Sequence, residues 1–313
     1  MKLLSFILPV YRNQGSIKTT CNQIHEHLIR LHASLDYEII IVNDGSDDSS
    51  WEEIIEISSL NKKVKALSFS RNFGQVPAII AGARHCKGDA AIIMSADLQD
   101  PVSLISEMIH SWEASAEIAI CYRMNREDSL MANFTSGIFY RFMKIANPNM
   151  PKGGFDFVLL DKKALDVFAN IDERNRFFQG DILWMGFNIK FIPYKRMKRT
   201  TGKSQWSFSK KLKYFIDGSL NTSYLSIRFM SVMGIITALL GFLYALVVVY
   251  LRFINDVPFK GYAPIVIILL VIGGMTMIML GIIGEYLWRI YDETRKRPIY
   301  LIKEKAGNWD SEV

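Results

Sequence analysis

Ala90-Ala91-Ile92-Ile93-Met94-Ser95-Ala96-Asp97-Leu98-Gln99-Asp100-Pro101 is the stretch on which the reading of this chain turns. Its first part, Ala90–Ser95, is a short apolar run of the kind a strand buried on both faces shows. The run then breaks into carboxylates, an amide and a proline. A carboxylate on a loop directly after a buried strand is well placed to hold a divalent cation. Magnesium or manganese takes oxygen ligands and shares them with a substrate diphosphate. Asp97 and Gln99 are two residues apart, so on an extended segment both face one side and form the candidate metal pair. Asp100 before Pro101 has a second reading, as a helix N-cap followed by proline at the first helical position.

Upstream of this stretch the same pattern repeats. Leu3–Leu8, Tyr37–Val42 and Val64–Phe69 are short runs rich in isoleucine, valine and leucine, and Glu117–Tyr122 follows downstream. Longer segments with helical spacing, Ser16–Leu31 and Asp48–Ser58, lie between them. Alternation of this kind predicts an α/β fold with a mostly parallel sheet covered by helices. In such open sheets the site lies at the carboxyl ends of the strands. The polar clusters fall in those places: Asn43-Asp44-Gly45 after the second strand, Ser70-Arg71-Asn72 after the third and Asp97 to Asp100 after the fourth. Asp44 alone reads as an Asp-Gly turn. Paired with Asp97 at the same sheet edge, it becomes a candidate nucleotide contact.

The C-terminal third has a different character. Phe229–Leu251 and Gly261–Gly284 hold no charged residue, and each exceeds the ~20 residues that cross a bilayer as a helix. Joined by the short Arg252–Lys260, they predict a two-helix transmembrane hairpin. Gly234 and Gly241, like Gly274 and Gly281, are seven apart and predict close helix packing. Lys210, Lys211, Lys213 and Arg228 precede the hairpin and Arg289, Arg295, Lys296 and Arg297 follow it. The positive-inside rule then puts both termini, and with them the N-terminal α/β domain, in the cytoplasm of a multi-pass protein of the cytoplasmic (inner) membrane. Phe208, Leu212, Phe215 and Ile216 form one helical stripe with the lysines off it, which predicts an amphipathic helix lying in the membrane interface. No secretory leader pattern opens the chain. The formal charge of +6 is concentrated beside the apolar stretches, so anionic lipid explains it and nucleic acid does not. Cys21, Cys86 and Cys121 are far apart and in no CxxC spacing, as expected of buried thiols in a reducing compartment.

Taken together, Pro9-x-Tyr11, Asn43-Asp44-Gly45-Ser46, Ser70-Arg71-Asn72-Phe73-Gly74 and Ala96-Asp97-Leu98-Gln99-Asp100-Pro101 resemble the family 2 glycosyltransferases. More narrowly the chain is similar to their polyprenyl-phosphate group, the dolichyl-phosphate mannose synthases and bactoprenol glucosyltransferases. Gly154-Phe155-Asp156-Phe157-Val158-Leu159-Leu160, Arg176-Phe177 with Trp184-x-Gly186-Phe187, Arg199-x-x-Gly202-x-Ser204 and Arg297-Pro298-x-Tyr300 extend the resemblance along the whole chain. It implies a GT-A fold, Rossmann-like, an inverting transfer and Mg2+ or Mn2+. It also implies a nucleotide-sugar donor, a polyprenyl phosphate (undecaprenyl phosphate) acceptor, and modification of an envelope polysaccharide downstream. Pro9, Tyr11, Asn13, Asp44, Asn72, Gly74 and Asp97 would contact the donor nucleotide, and Asp97 and Gln99 the metal. Asp156 would be the catalytic carboxylate. Arg123, Arg126, Arg176, Arg199 and Ser204 would lie near the phosphates of donor and acceptor. The implied organisation is a GT-A domain over residues 1–205, an interfacial region over 206–228, two spans (about 229–251 and 261–284) within 229–288 and a basic tail over 289–313. A homo-oligomer is left open. UDP is preferred over GDP because the nearest resemblance is bacterial.

The sequence departs from the family at Ser95, where the first acid of the usual Asp-x-Asp stands, and at Gln14, Phe155, Val158 and Gln205. These positions surround the donor and acceptor pockets and leave the sugar open. Ser95 is also the feature that favours a rival reading, a membrane-bound nucleotide-sugar-binding scaffold without catalysis. Other classes fit less well. The first strand is not followed by GxGxxG, and Gly202-Lys203-Ser204 lacks the earlier glycine of a P-loop, with Met197 in its place. A processive polysaccharide synthase would want QxxRW, and Gln179-Gly180-Asp181-Ile182-Leu183-Trp184 lacks the arginine.

Overall fold

The structure is a computed structural model. It describes residues 2–31, 35–123, 144, 148–151, 154–195, 232–237, 239–244, 246–247, 250 and 262–309. The chain divides into two compact units, one of Met1–Gly218 with Pro298–Val313 and one of Ser219–Arg297.

In the first unit the chain runs β1 (Lys2–Val10), α1 (Ile17–Leu31), β2 (Leu35–Asn43), α2 (Ser50–Leu60), β3 (Val64–Phe69), α3 (Gln75–His85), β4 (Ala90–Ile93), α4 (Leu104–Glu113) and β5 (Ile118–Arg123). It continues with β6 (Phe157–Asp161), α5 (Lys162–Asn170), α6 (Phe178–Trp184) and β7 (Ile189–Tyr194). The last strand, β8 (Ile302–Gly307), comes from the C-terminus. All eight strands form one sheet in the order β7-β5-β6-β4-β1-β2-β3-β8. The pairings β1–β2, β1–β4, β2–β3 and β5–β7 are parallel; β4–β6, β5–β6 and β3–β8 are antiparallel. The expected α/β sheet is therefore present, but mixed.

Strand alternation sends side chains to two faces. Leu4, Phe6, Leu8 and Val10 of β1 pack with Ile17, Cys21, Ile24 and Leu28 of α1 and with Ile105, Met108 and Ile109 of α4. The α1 residues are spaced at 4, 3 and 4, one apolar stripe of a helix. Ile7 points the other way, onto Ile79, Ile80 and Ala83 of α3 and the cluster that contains Phe168 of α5 and Ile182 of α6. Gly82 allows the close approach there: a Cβ on it would sit 2.4 Å from Ile7 Cγ2. The helix α5 starts where Asp161 accepts from Ala164 N at 2.8 Å, a side-chain N-cap.

β8 is the largest departure from expectation. Residues 289–313 read as a basic tail, yet Lys65 to Phe69 pair with Gly307 to Ile302 and make the tail the outer strand of the sheet. Its Lys303, Glu304 and Lys305 are exposed, and charge along an edge strand discourages pairing with other chains. The cysteines are free; Cys21 and Cys121 are buried as expected, whereas Cys86 is half-buried. His25 and His27 on α1 bond to Tyr37 and Ser106, respectively.

In the second unit, α7 (Tyr262–Thr294) runs for 33 residues. Its segment Val271–Thr294 has a mean hydropathy of 1.5 with none of it buried, making it the one helix among the described residues long and apolar enough to cross a membrane. The predicted span 261–284 falls almost wholly inside α7, which continues past it. Arg289 donates to Glu285 at 3.1 Å one turn away. The predicted span 229–251 contains a shorter apolar helix, Val232–Tyr244. Thr237 Oγ1 meets Met275 Sδ at 3.1 Å. Among the described residues, a Cβ at Gly234, Gly241, Gly274 or Gly281 would meet nothing within 4 Å, against the close packing expected at these glycines. The interfacial stripe over 206–228 lies outside the described residues.

Candidate active site

Sheet direction assembles the site. β1, β2, β3, β4, β5 and β7 all run one way, so their carboxyl ends share an edge. β6 runs against them, so it begins at that edge: Phe157 pairs with Cys121, near the end of β5. The topology therefore brings Pro9, Tyr11 and Asn13, Asp44, Asn72 and Gly74, Asp97 and Gln99, Arg123, and Asp156 to one side of the sheet.

Asp44 is 3% exposed and ties two of these loops together. Its Oδ1 accepts from Phe73 N at 2.6 Å and its Oδ2 from Gly74 N at 2.9 Å, at the start of α3. A carboxylate at a helix N-terminus meets the orphan amides and the positive end of the dipole. Gly45 beside it has φ +63, and a Cβ there would lie 2.3 Å from the Arg71 backbone. Asp44 and Gly45 thus shape the Arg71–Gly74 loop, a structural role additional to the nucleotide contact expected of Asp44. Asn43 Nδ2 donates to Ser68 Oγ at 3.1 Å, and its Oδ1 accepts from Ser46 N at 3.2 Å. At the end of β1, Tyr11 N donates to Asn13 Oδ1 at 3.0 Å, and Arg12 pairs with Asp47 on the surface.

The loop after β4 is bent where extension was expected. Leu98 has φ +60 and Gln99 N donates to Asp97 Oδ1 at 3.2 Å, closing a tight turn. Ser16, just before α1, and Thr20 of α1 hold Ala96 O at 2.7 and 3.2 Å. Asp97 is 3% exposed. No group of three or more histidine, cysteine or acidic side chains arranged for a metal occurs among the described residues. Asp97 and Gln99 offer side-chain oxygens of the type a hard cation takes, with the remaining ligands to come from water and a substrate diphosphate. Asp100 does not cap a helix: α4 starts at Leu104 with Ser103 before it. It is buried, accepting from Tyr194 OH at 2.7 Å and from Ser95 N at 3.4 Å.

Arg123 Nη2 donates to Asp156 Oδ2 at 2.5 Å. The arginine side chain is 9% exposed and the carboxylate 37%, so the pair has a buried base and an open carboxylate tip. Burial alone would lower the Arg123 guanidinium, but Asp156, Tyr194 and Asp100 outweigh it and raise it further above its usual range. Arg123 is thus a fixed cation. Burial and the neighbouring Asp100 raise the Tyr194 phenol in turn, keeping it neutral. Tyr194, on an edge strand that sequence reasoning did not single out, links the metal-candidate loop to the Arg123–Asp156 pair.

Arg176 is placed differently from its expected phosphate role. Its side chain is 1% exposed; Nε donates to Asp181 at 2.7 Å, Nη1 to Phe168 O at 3.0 Å, and the guanidinium lies 4.3 Å from the Phe168 ring centre. It is committed to the core. Burial raises Asp181 to about 6, against the opposing pull of Arg176. Gln179, also missed as a site residue, donates to Phe155 O at 2.7 Å and so braces the backbone next to Asp156. Its only sequence signal was its place in a QxxRW-like segment. Arg126, Arg199 and Ser204 lie outside the described residues.

The sequence profile described as Glycosyl transferase family 2 matches residues 5–168, just over half of the chain. A Bacillus subtilis protein named uncharacterized glycosyltransferase YkcC is 35% identical over 97% of this chain and 94% of its own length. The prophage bactoprenol glucosyl transferase homolog of Escherichia coli K12 is 32% identical over 96% of this chain and 98% of its own. Among solved structures, glucosyl-3-phosphoglycerate synthase from Mycobacterium tuberculosis matches at 15% identity and a TM-score of 0.46, over 64% of this chain and 73% of that one. The loops that carry Asp44, Asn72 and Asp97 lie inside the matched profile, the relatives extend the match over 96–97% of the chain, and the chain belongs to glycosyl transferase family 2: it is a glycosyltransferase.

Proposed function

We propose that this glycosyltransferase moves a sugar from a nucleotide-sugar, a UDP-sugar first among candidates, to a polyprenyl phosphate at the cytoplasmic face of a membrane. The products are polyprenyl-phosphate-sugar, with inverted anomeric configuration, and a nucleoside diphosphate. The observation that carries the reading is the Arg123–Asp156 pair at the same sheet edge as the Asn72–Gly74 and Asp97–Gln99 loops, in a chain matched over 96% of its length by a bactoprenol glucosyl transferase and a homolog of one. α7 and the apolar helix before it support a two-helix membrane anchor that keeps the enzyme beside a lipid substrate.

The chemistry asks little of a general base. A phosphate monoester has its second pKa near ~6, so at neutral pH it is largely a dianion and already a nucleophile. The obstacle is bringing two anions together. Arg123, held charged, offers guanidinium donors to phosphate oxygens, and Asp156 orients it. Asp97 and Gln99 would hold Mg2+ or Mn2+, which when bound stabilises charge on the departing diphosphate. Substitution tests the assignment. Asp97→Ala is expected to abolish transfer. Asp156→Ala is expected to cut it by about two to three orders of magnitude, as loss of a preorganised charge contact does, while nucleotide binding by calorimetry survives. Full activity in both variants would sink the site.

A further inference from the structure

The C-terminal segment after α7 reaches β3 and the Ser70–Gly74 loop, and it takes no part in the transfer chemistry proposed for the site. Tyr300 stacks on Phe69 with ring centres 5.0 Å apart and planes 11° from parallel. Leu301 O accepts from Ser70 N at 3.0 Å. Ile302 to Gly307 then pair with β3. Phe69 in turn meets Phe73 edge-on at 5.7 Å, and the Arg71 guanidinium lies 4.1 Å from the Phe73 ring centre. Farther along, Trp51 Nε1 donates to Glu304 at 2.8 Å and Trp309 packs on His85. Gly307, at φ +86, passes so close to β3 that a Cβ would lie 2.4 Å from Val64 O.

The Ser70–Gly74 loop is therefore held from two sides. Asp44 grips its far end through Phe73 N and Gly74 N. The C-terminal segment grips its near end through Ser70 and through the Tyr300–Phe69–Phe73 ring series. A loop fixed at one end only would have more backbone freedom to lose when it closes on a ligand, and preorganisation removes that cost.

We propose that Tyr300 and the β8 segment are positioning elements of the donor site, setting the Ser70–Gly74 loop for a nucleoside diphosphate. The proposal rests on the reading of that loop as donor-binding. Because only seven residues, 295–301, separate α7 from β8, the segment that completes the donor loop follows directly on the apolar helix.

The test is nucleoside diphosphate binding and steady-state kinetics on the full chain in detergent, with UDP and GDP both offered. Tyr300→Ala is expected to weaken diphosphate binding and raise the donor KM by about three- to tenfold, the range a lost aromatic pair supports. The acceptor KM is expected to stay within twofold (roughly, an energetically negligible change). Tyr300→Phe, which keeps the ring, should bind as wild type. Gly307→Ala acts at the far end of the strand and should weaken donor binding in the same direction. Asn72→Ala and Asp97→Ala separate the two claims. If they weaken binding and Tyr300→Ala lowers only the melting temperature, the positioning role is overturned. If neither weakens binding, the donor reading of the edge fails and the proposal falls with it.

Discussion

Arg123 and Asp156 are the residues whose exchange tests the site most narrowly. Arg123→Lys keeps the charge but loses the guanidinium fork, so transfer should fall by about tenfold or more, with protein yield and melting temperature little changed. Unchanged kcat/KM would mean that Arg123 serves the fold only. Tyr194→Phe deletes the donor to buried Asp100 and should lower stability by about 1–3 kcal/mol, read as a lower melting temperature. Asp181 gives a pH signature. Its carboxyl is raised from 3.8 to about 6 by burial, so the folded chain keeps a proton that the unfolded chain releases. The contribution to stability is full below 3.8 and is lost as pH rises through about 6. Asp181→Asn should therefore show a flatter melting temperature between about pH 4 and 7 than wild type; parallel profiles would contradict the assignment. At this scale the sequence was uneven. The shared sheet-edge position of Asp44, Asp97 and Asp156 was legible because motif and strand end coincide. Arg176 was misplaced because nothing in Arg176-Phe177 says whether the guanidinium faces the site or turns back to Asp181, five residues on.

At the scale of elements, β1 to β5 were legible because strands buried on both faces read as unbroken apolar runs. β7 was not, since its buried and exposed positions alternate and it contains Pro193, as an edge strand tolerates. β8 was not, since Ile302-Lys303-Glu304-Lys305-Ala306-Gly307 carries the charges that protect an edge and so resembles a solvated tail. The bend at Leu98 was hidden because spacing arguments assume extension. Gly45→Ala tests how far elements shape the site. The added methyl meets the Arg71 backbone and demands a positive φ, so nucleotide binding should be lost before global folding is. Wild-type nucleotide affinity in that variant would show that the Arg71–Gly74 loop is not a donor element.

At the scale of the whole molecule, a glycosyltransferase sheet and an apolar unit share one chain. The proposed anchor through α7 would be apolar, so washing membranes with about 1 M salt, which screens charge within roughly 3 Å, should leave the protein in the pellet. Release by salt alone would mean that the basic runs, and not a membrane span, hold it. The central claim is the transfer itself. It is tested most directly by incubating the purified full chain with undecaprenyl phosphate and labelled UDP- and GDP-sugars, with and without magnesium or manganese. Metal-dependent label in the lipid phase from one donor is expected, with release of the matching nucleoside diphosphate. Nucleotide binding without transfer from any donor would contradict it and favour a scaffold in which Ser95 marks lost catalysis.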